Sequence, residues 1–311
     1  MLNFRRRYTL AIEAIPGSWS SRCFSRRPIR REHLRASVRA VVTLLPEEEE
    51  AEHILSRMGL HVHRVPTTSL RKTPEFLVDG DGRGYVVEVK ARADSEGWRE
   101  ALDRGGVAEQ QRSMGYGRWT EDVARAALKQ MAAADPQHRR WWILWLPISC
   151  EASPDSMMDE IIGSLFGVRQ VVDLAEQRSD QALTMRLVLF ALPGVFERHP
   201  EIVGVITCTG ETISFCVNDE FAPDFATFQQ SRIYTVFARR SPPNSARQLR
   251  EAGFLSIADR SVDRRNEKAL QCYLTEAHGI EKPVLLDMKH YTATMMVPHD
   301  HAPSIRDADG G

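Results

Sequence analysis

Polar and apolar positions along the chain switch between helical and alternating periods several times before residue 150. "PEEEEAEHILSRMGL" (46–60) is helical in period, with Ile54, Leu55 and Met58 on one face. Pro46 suits a first turn, Glu47–Glu50 favour the positive end of the helix dipole, and Gly59 marks the stop. "LHVHRVP" (60–66) alternates and predicts a strand. "EFLV" and "YVVEVKA" predict two more, joined by "DGDGRG", whose doubled Asp-Gly is a hairpin signal. Residues 92–118 turn polar, with Trp98, Tyr116 and Trp119 dispersed in and around them, and read as a long loop or insertion. "TEDVARAALKQMAAAD" (120–135) predicts a helix capped by Thr120 and stopped at Asp135-Pro136. "WWILWLPIS" (141–149) is continuously apolar, the pattern of a central strand covered on both faces. A helical crossover between the third strand and this one makes the two parallel.

Further along, 155–166 predicts a helix, and "VRQVVDL" and "MRLVLFALP" predict strands. "IVGVITCTGETISFCV" reads as a hairpin turning at "TGE". "NSARQLREAGF" and "RRNEKALQCYLTEAHG" are helical, "PVLLDMKHY" is a late strand, and the polar tail after Pro298 is loose. Residues 1–40 lack sustained periodicity apart from a helical signal at 32–40. The expected organisation is a basic, disordered arm (1–44), an α/β domain with a mixed sheet flanked by helices (45–240), and a C-terminal helical extension with a loose tail (241–311). There is no internal repeat.

With 311 residues, 42% hydrophobic and 27% charged, the chain is ordinary globular material that can bury a core without staples. No apolar run approaches the roughly 18 residues that span a bilayer. Five scattered cysteines without a CxxC support neither a disulfide framework nor a zinc knuckle, and a reducing cytoplasm is the simplest compartment. The net charge of -1 hides an asymmetry: residues 1–40 hold ten Arg against two Glu. Such an arm suits a polyanion, resembles an Arg- and Ser-rich transit peptide, or is a leader that folding does not need. The acidic remainder argues against a broad basic binding face.

Charge matters most within the hairpin. With its turn centred between Asp81 and Gly82, Glu75 falls opposite Glu88, and directly opposed Cβ atoms lie about 5 Å apart. Lys90, two residues past Glu88, points to the same face. A slip of one residue would move Glu75 to the other face. Like charges so placed suit a divalent cation held between them. Two carboxylates for Mg²⁺ with an ammonium alongside is a set suited to phosphodiester hydrolysis. The plainer reading is that Glu88 and Lys90 are edge-strand charges that discourage aggregation. Val86, Val87 and Val89 weigh against it, because a strand apolar around Glu88 is buried and a buried carboxylate needs a partner.

Pro74-Glu75, twelve intervening residues and then Glu88-Val89-Lys90 resemble the motif of the PD-(D/E)xK nuclease superfamily. The resemblance covers residues 46–149. It implies a restriction-endonuclease-like core of helix, three strands, helix and strand, with the motif on the second and third strands. It further implies a Mg²⁺- or Mn²⁺-dependent nuclease acting on DNA. Glu75 and Glu88 would be its metal ligands, with Glu52, or else Glu50 or Glu49, as a further acid from the first helix. Lys90 would work on the attacking water. Gln130, or its neighbour Lys129, would be the auxiliary residue of the following helix. The chain departs from the family in having Glu75 where Asp is usual. It also has Ala134 where the exonuclease-like branch has Tyr. The alternative is a catalytically inactive nucleic-acid-binding or assembly module of a DNA-processing or defence complex, working as a homodimer or with partner subunits.

Weaker signals complete the reading. His61 and His63 alternate on a strand as a metal pair would, but lack a third ligand; His290, His299 and His301 cluster near the tail. "SARQLREAGFLSIADRSVDRR" (245–265) faintly resembles a helix–turn–helix, with Arg260, Arg264 and Arg265 on its second helix. The aromatics around 92–119 could stack on bases as a lid.

Overall fold

The structure, a computed structural model, describes residues 46–66, 73–80, 82–93, 107–112, 117–149, 154–176, 185–209, 212–240, 243–286 and 291–296. The arm, Trp98, Tyr116, His290, His299 and His301 lie outside the described residues.

Helix α1 (Pro46–Arg57) carries Glu47, Glu48 and Glu49 in its first turn and buries Ala51 and Leu55, with Ile54 and Met58 packed partly against the same core. Strands β1 (His61–Arg64), β2 (Phe76–Asp79) and β3 (Tyr85–Val89) follow as an antiparallel meander. The turn between β2 and β3 depends on glycine. Gly84 has φ +70°, and a Cβ there would sit 2.8 Å from the Val78 carbonyl. The observed register pairs Phe76 with Val87 and Leu77 with Val86, the alignment expected from the turn chemistry.

A short strand, β4 (Arg92–Ala93), prolongs the line of β3. Next comes β5 (Val107–Arg112), within the stretch expected to be a loop. Helix α2 (Arg118–Ala134) has Gly117 at its N-cap, so Thr120 sits buried inside the first turn instead of capping it. Its C-cap is Asp135, as the sequence predicts. Strand β6 (Trp141–Ser149) pairs parallel with β3 on one side and with β9 (Ile202–Thr209) on the other, and is buried from Trp141 to Ile148. β9 forms a hairpin with β10 (Thr212–Val217). The main sheet therefore runs β1-β2-β3-β6-β9-β10, mixed in direction. α1 packs on one face, with Phe76, Val87 and Val89, and α2 on the other, with Val86, Leu144 and Leu146.

Helix α3 (Pro154–Phe166) packs beside α2, and β7 (Arg169–Asp173) and β8 (Met185–Leu189) begin a second sheet. Three short helices follow β8: α4 (Val195–Arg198), α5 (Phe225–Phe228) and α6 (Arg232–Arg240). The described part of 241–311 contains α7 (Ala246–Glu251) and α8 (Glu267–His278), but also strands. β11 (Leu255–Ser256) and β12 (Pro283–Leu286) flank β7 and β8 in the order β11-β8-β7-β12. Ala246, Ile257, Leu270, Leu274 and Leu285 share the core that holds α2 and α3. Strand β13 (Tyr291–Met296) returns to pair antiparallel with β5. The chain is thus an α/β protein of mixed sheets flanked by helices. Among the described residues no helix is long and apolar enough to cross a membrane.

The helix–turn–helix is not present. After α7 and Gly253 the chain enters β11 and then turns, so no helix carries Arg260, Arg264 and Arg265, and α8 begins only at Glu267. Arg264 is buried in an ion pair with Glu197, and Arg260 lies over the Phe221 ring at 4.8 Å.

Candidate active site

The hairpin register carries Glu75 and Glu88 to the same side of the sheet. Phe76, Val87 and Val89 face α1, so alternation turns Glu75, Leu77, Glu88 and Lys90 toward α2. Leu77 and Val86 pack against the α2 core accordingly. The three predicted residues do converge. Lys90 Nζ contacts Glu88 Oε1 and lies 3.5 Å from Glu75 Oε1. The other oxygen of Glu75 accepts a hydrogen bond from the Val89 amide at 2.9 Å, which ties the end of β3 to the residue that enters β2. Lys90 is fixed through its backbone, whose N–H donates to the Trp145 carbonyl of β6 at 2.9 Å.

Burial distinguishes the two acids. The Glu88 side chain is 0% exposed, whereas Glu75 is 18% and Lys90 28% exposed. Burial above all, and then the neighbouring Glu75 carboxylate, push the Glu88 carboxyl from 4.5 up to about 9; Lys90 pulls the other way without prevailing. Neither oxygen of Glu88 has a well-directed hydrogen-bond donor, although Lys90 lies against one of them. One Glu88 oxygen is thus offset by the Lys90 ammonium, and the carboxyl as a whole remains fully buried.

The mouth of the site is an open groove of about 620 Å³ lined by Lys90, Asp122, Arg125, Ala126, Lys129 and Gln130. The Gln130 amide donates to the Thr73 carbonyl at 3.1 Å, two residues before Glu75. Its contact is therefore with the segment that delivers Glu75. Arg125 is engaged by Glu121 at 2.9 Å and Asp122 at 3.3 Å. Lys129 is exposed and has no ion-pair partner among the described residues.

Glu52 stands apart. It lies on α1, against the opposite face of the sheet, and Arg64 Nε donates to it at 2.9 Å. Glu50 is near Cys208 on that same face, and Glu49 lies with it in the first turns of α1. His61 and His63 sit on the edge strand β1, where His63 Nε2 lies 3.5 Å from Asp79. Among the described residues no group of three or more His, Cys, Asp or Glu could hold a metal. Glu75 and Glu88 are the two acids that the hairpin brings together, and a divalent cation shared by them would take the place that the Lys90 ammonium holds against both.

Sequence reasoning missed Arg92. It continues the alternation Glu88, Lys90, Arg92, bonds buried Glu160 at 3.0 Å and covers the Trp119 ring at 4.6 Å. Trp119 is thus occupied by Arg92 and packed on the core, and is not a free lid. The alternation itself was the available signal; Glu160, a distant partner, was not. Comparisons with protein-family models, curated proteins and solved structures find no match to this chain.

Proposed function

We propose that the chain is a metal-dependent nuclease that hydrolyses phosphodiester bonds, in DNA, on a restriction-endonuclease-like core. The observation that carries this reading is the meeting of Glu75, Glu88 and Lys90, with Glu88 fully buried and Lys90 on the lining of an open groove. The order α1, β1, β2, β3, then α2 and β6 after the interposed short strands β4 and β5, with both acids on the β2–β3 hairpin, supports it. Glu75 and Glu88 would hold Mg²⁺ or Mn²⁺. Bound there, the cation would supply positive charge to the phosphate and acidify water.

The chain's own residues act around that pair. Glu75 is pinned by the Val89 N–H, so its longer arm reaches the Glu88 side of the hairpin in one orientation. Lys90 brings an ammonium between the two carboxyls, where it can donate to an attacking water and offset negative charge growing on phosphate. Glu88 holds a proton at neutral pH and must release it to bind a cation. Gln130 keeps the Thr73–Glu75 segment against α2.

Calorimetric titration of Mn²⁺ into wild type and Glu88→Gln, with a cleavage assay on linear, supercoiled and single-stranded DNA, tests the reading. Uptake and cleavage by wild type, both lost in Glu88→Gln, are expected. Neither uptake nor cleavage by wild type would instead favour a non-catalytic binding or assembly module, the reading to which the Glu at position 75 points.

A further inference from the structure

The groove beside the candidate site has a charge order that the catalytic reading does not use. Its α2 wall presents Asp122, Arg125, Ala126 and Lys129 in sequence along one helix face. The Asp122 end is self-neutralised, because Arg125 is held by both Glu121 and Asp122. Lys129 lies one turn further, next to Gln130, exposed and without an ion-pair partner among the described residues. Lys90, the third cation of the groove beside Arg125 and Lys129, is committed to Glu75 and Glu88.

We propose that Lys129 is the phosphate-gripping residue of this groove, holding the phosphodiester backbone of a nucleic-acid strand that runs along α2 toward Lys90. The proposal rests on the nuclease reading of the site. Three features support it. An exposed ammonium on a flexible stem is a good point-charge ligand for a phosphate oxygen and is not consumed by an internal pair here. Residues four apart on a helix lie about 6 Å apart along its axis, so Lys129 stands one turn clear of the Glu121–Arg125–Asp122 cluster. Asp122 and Arg125 offset each other at the far end of the groove, so its uncompensated positive charge lies at the Lys129 end. Lys129 touches backbone alone and is a positioning residue.

Salt dependence provides the test, because a merely structural role would not move it. Binding of a fluorescent oligonucleotide, single-stranded and duplex, is measured with Ca²⁺ in place of Mg²⁺ for wild type, Lys129→Gln and Asp122→Asn between about 50 and 200 mM salt. Lys129→Gln should bind roughly fivefold more weakly, independently of base sequence, and lower the steepness of log K against log salt by about 0.7 for single strands or 0.9 for duplex. Asp122→Asn should bind more tightly than wild type. Unchanged affinity and slope in Lys129→Gln, with wild type binding and cleaving normally, would overturn this proposal alone. Wild type that binds neither oligonucleotide overturns it together with the nuclease reading. Both variants lie on the exposed face of α2, and circular dichroism verifies their fold.

Discussion

Glu88 offers the sharpest physical prediction. A carboxyl with its folded value near 9, against an ordinary 4.5, favours the folded state only while it carries its proton. Its contribution is complete below pH 4.5 and is lost progressively as pH rises from there toward 9. Each pH unit in that window costs about 1.4 kcal/mol, or about 3 kcal/mol in all between pH 4.5 and 7. Relaxation around a buried charge and its contact with Lys90 reduce this to about 1–3 kcal/mol. Replacing Glu88 by Gln keeps the volume and removes the titration. Urea denaturation followed by tryptophan fluorescence, in chelator, from about pH 5 to 8 should show wild type losing stability with pH relative to Glu88→Gln. The difference between the two proteins isolates residue 88. Asp135, Asp173 and Asp259, whose carboxyls are held below their ordinary range, act only at more acidic pH. Parallel pH profiles for the two proteins would refute the assignment of a protonated, desolvated Glu88.

Other outcomes follow from the same contacts. Asp135 accepts from the Arg139 and Arg140 amides at 3.0 and 2.9 Å and from the Trp142 indole at 3.2 Å. Asp135→Ala should lower stability by about 2–4 kcal/mol in urea titrations, because it strands a buried indole N–H. Burial alone would raise this carboxyl, but those donors hold it low, so its contribution is present above pH 3.8 and fades as pH falls through the folded value. Gln130→Ala removes the bond to Thr73 and should cut cleavage several-fold while changing stability by about 1 kcal/mol or less, read by kinetics alongside denaturation. Glu75→Asp shortens an acid whose carboxylate already reaches the Val89 N–H and Lys90. The shorter acid should therefore lower Mn²⁺ affinity in calorimetry, and a gain would show that the Glu75 arm is misplaced.

Local chemistry made the hairpin legible. Doubled Asp-Gly set a turn, the turn set a register, and the register brought Glu75 across from Glu88. The same held for β6, whose unbroken apolar run marked a strand covered on both faces. What stayed hidden depended on partners far along the chain. "VAEQQR" is too polar to read as a strand, and its pairing with β13 comes from the opposite end of the sequence. β11 is two residues long, too short for any period, and its pairing with β8 replaced the second helix of the expected helix–turn–helix. At the site, sequence spacing alone could not show that α1 lies behind the sheet with Glu52 tied to Arg64. Nor could it show that Gln130 would bond a backbone carbonyl ahead of Glu75.

The most direct measurement is cleavage of supercoiled plasmid in Mg²⁺ by wild type and by Lys90→Ala, with thermal denaturation to verify that both are folded. Lys90 is the one cation in contact with both candidate ligands among the described residues. Wild type should nick or linearise the plasmid, and Lys90→Ala should be slower by about 10²-fold or more. Equal cleavage by the two proteins would contradict a catalytic centre at Glu75, Glu88 and Lys90.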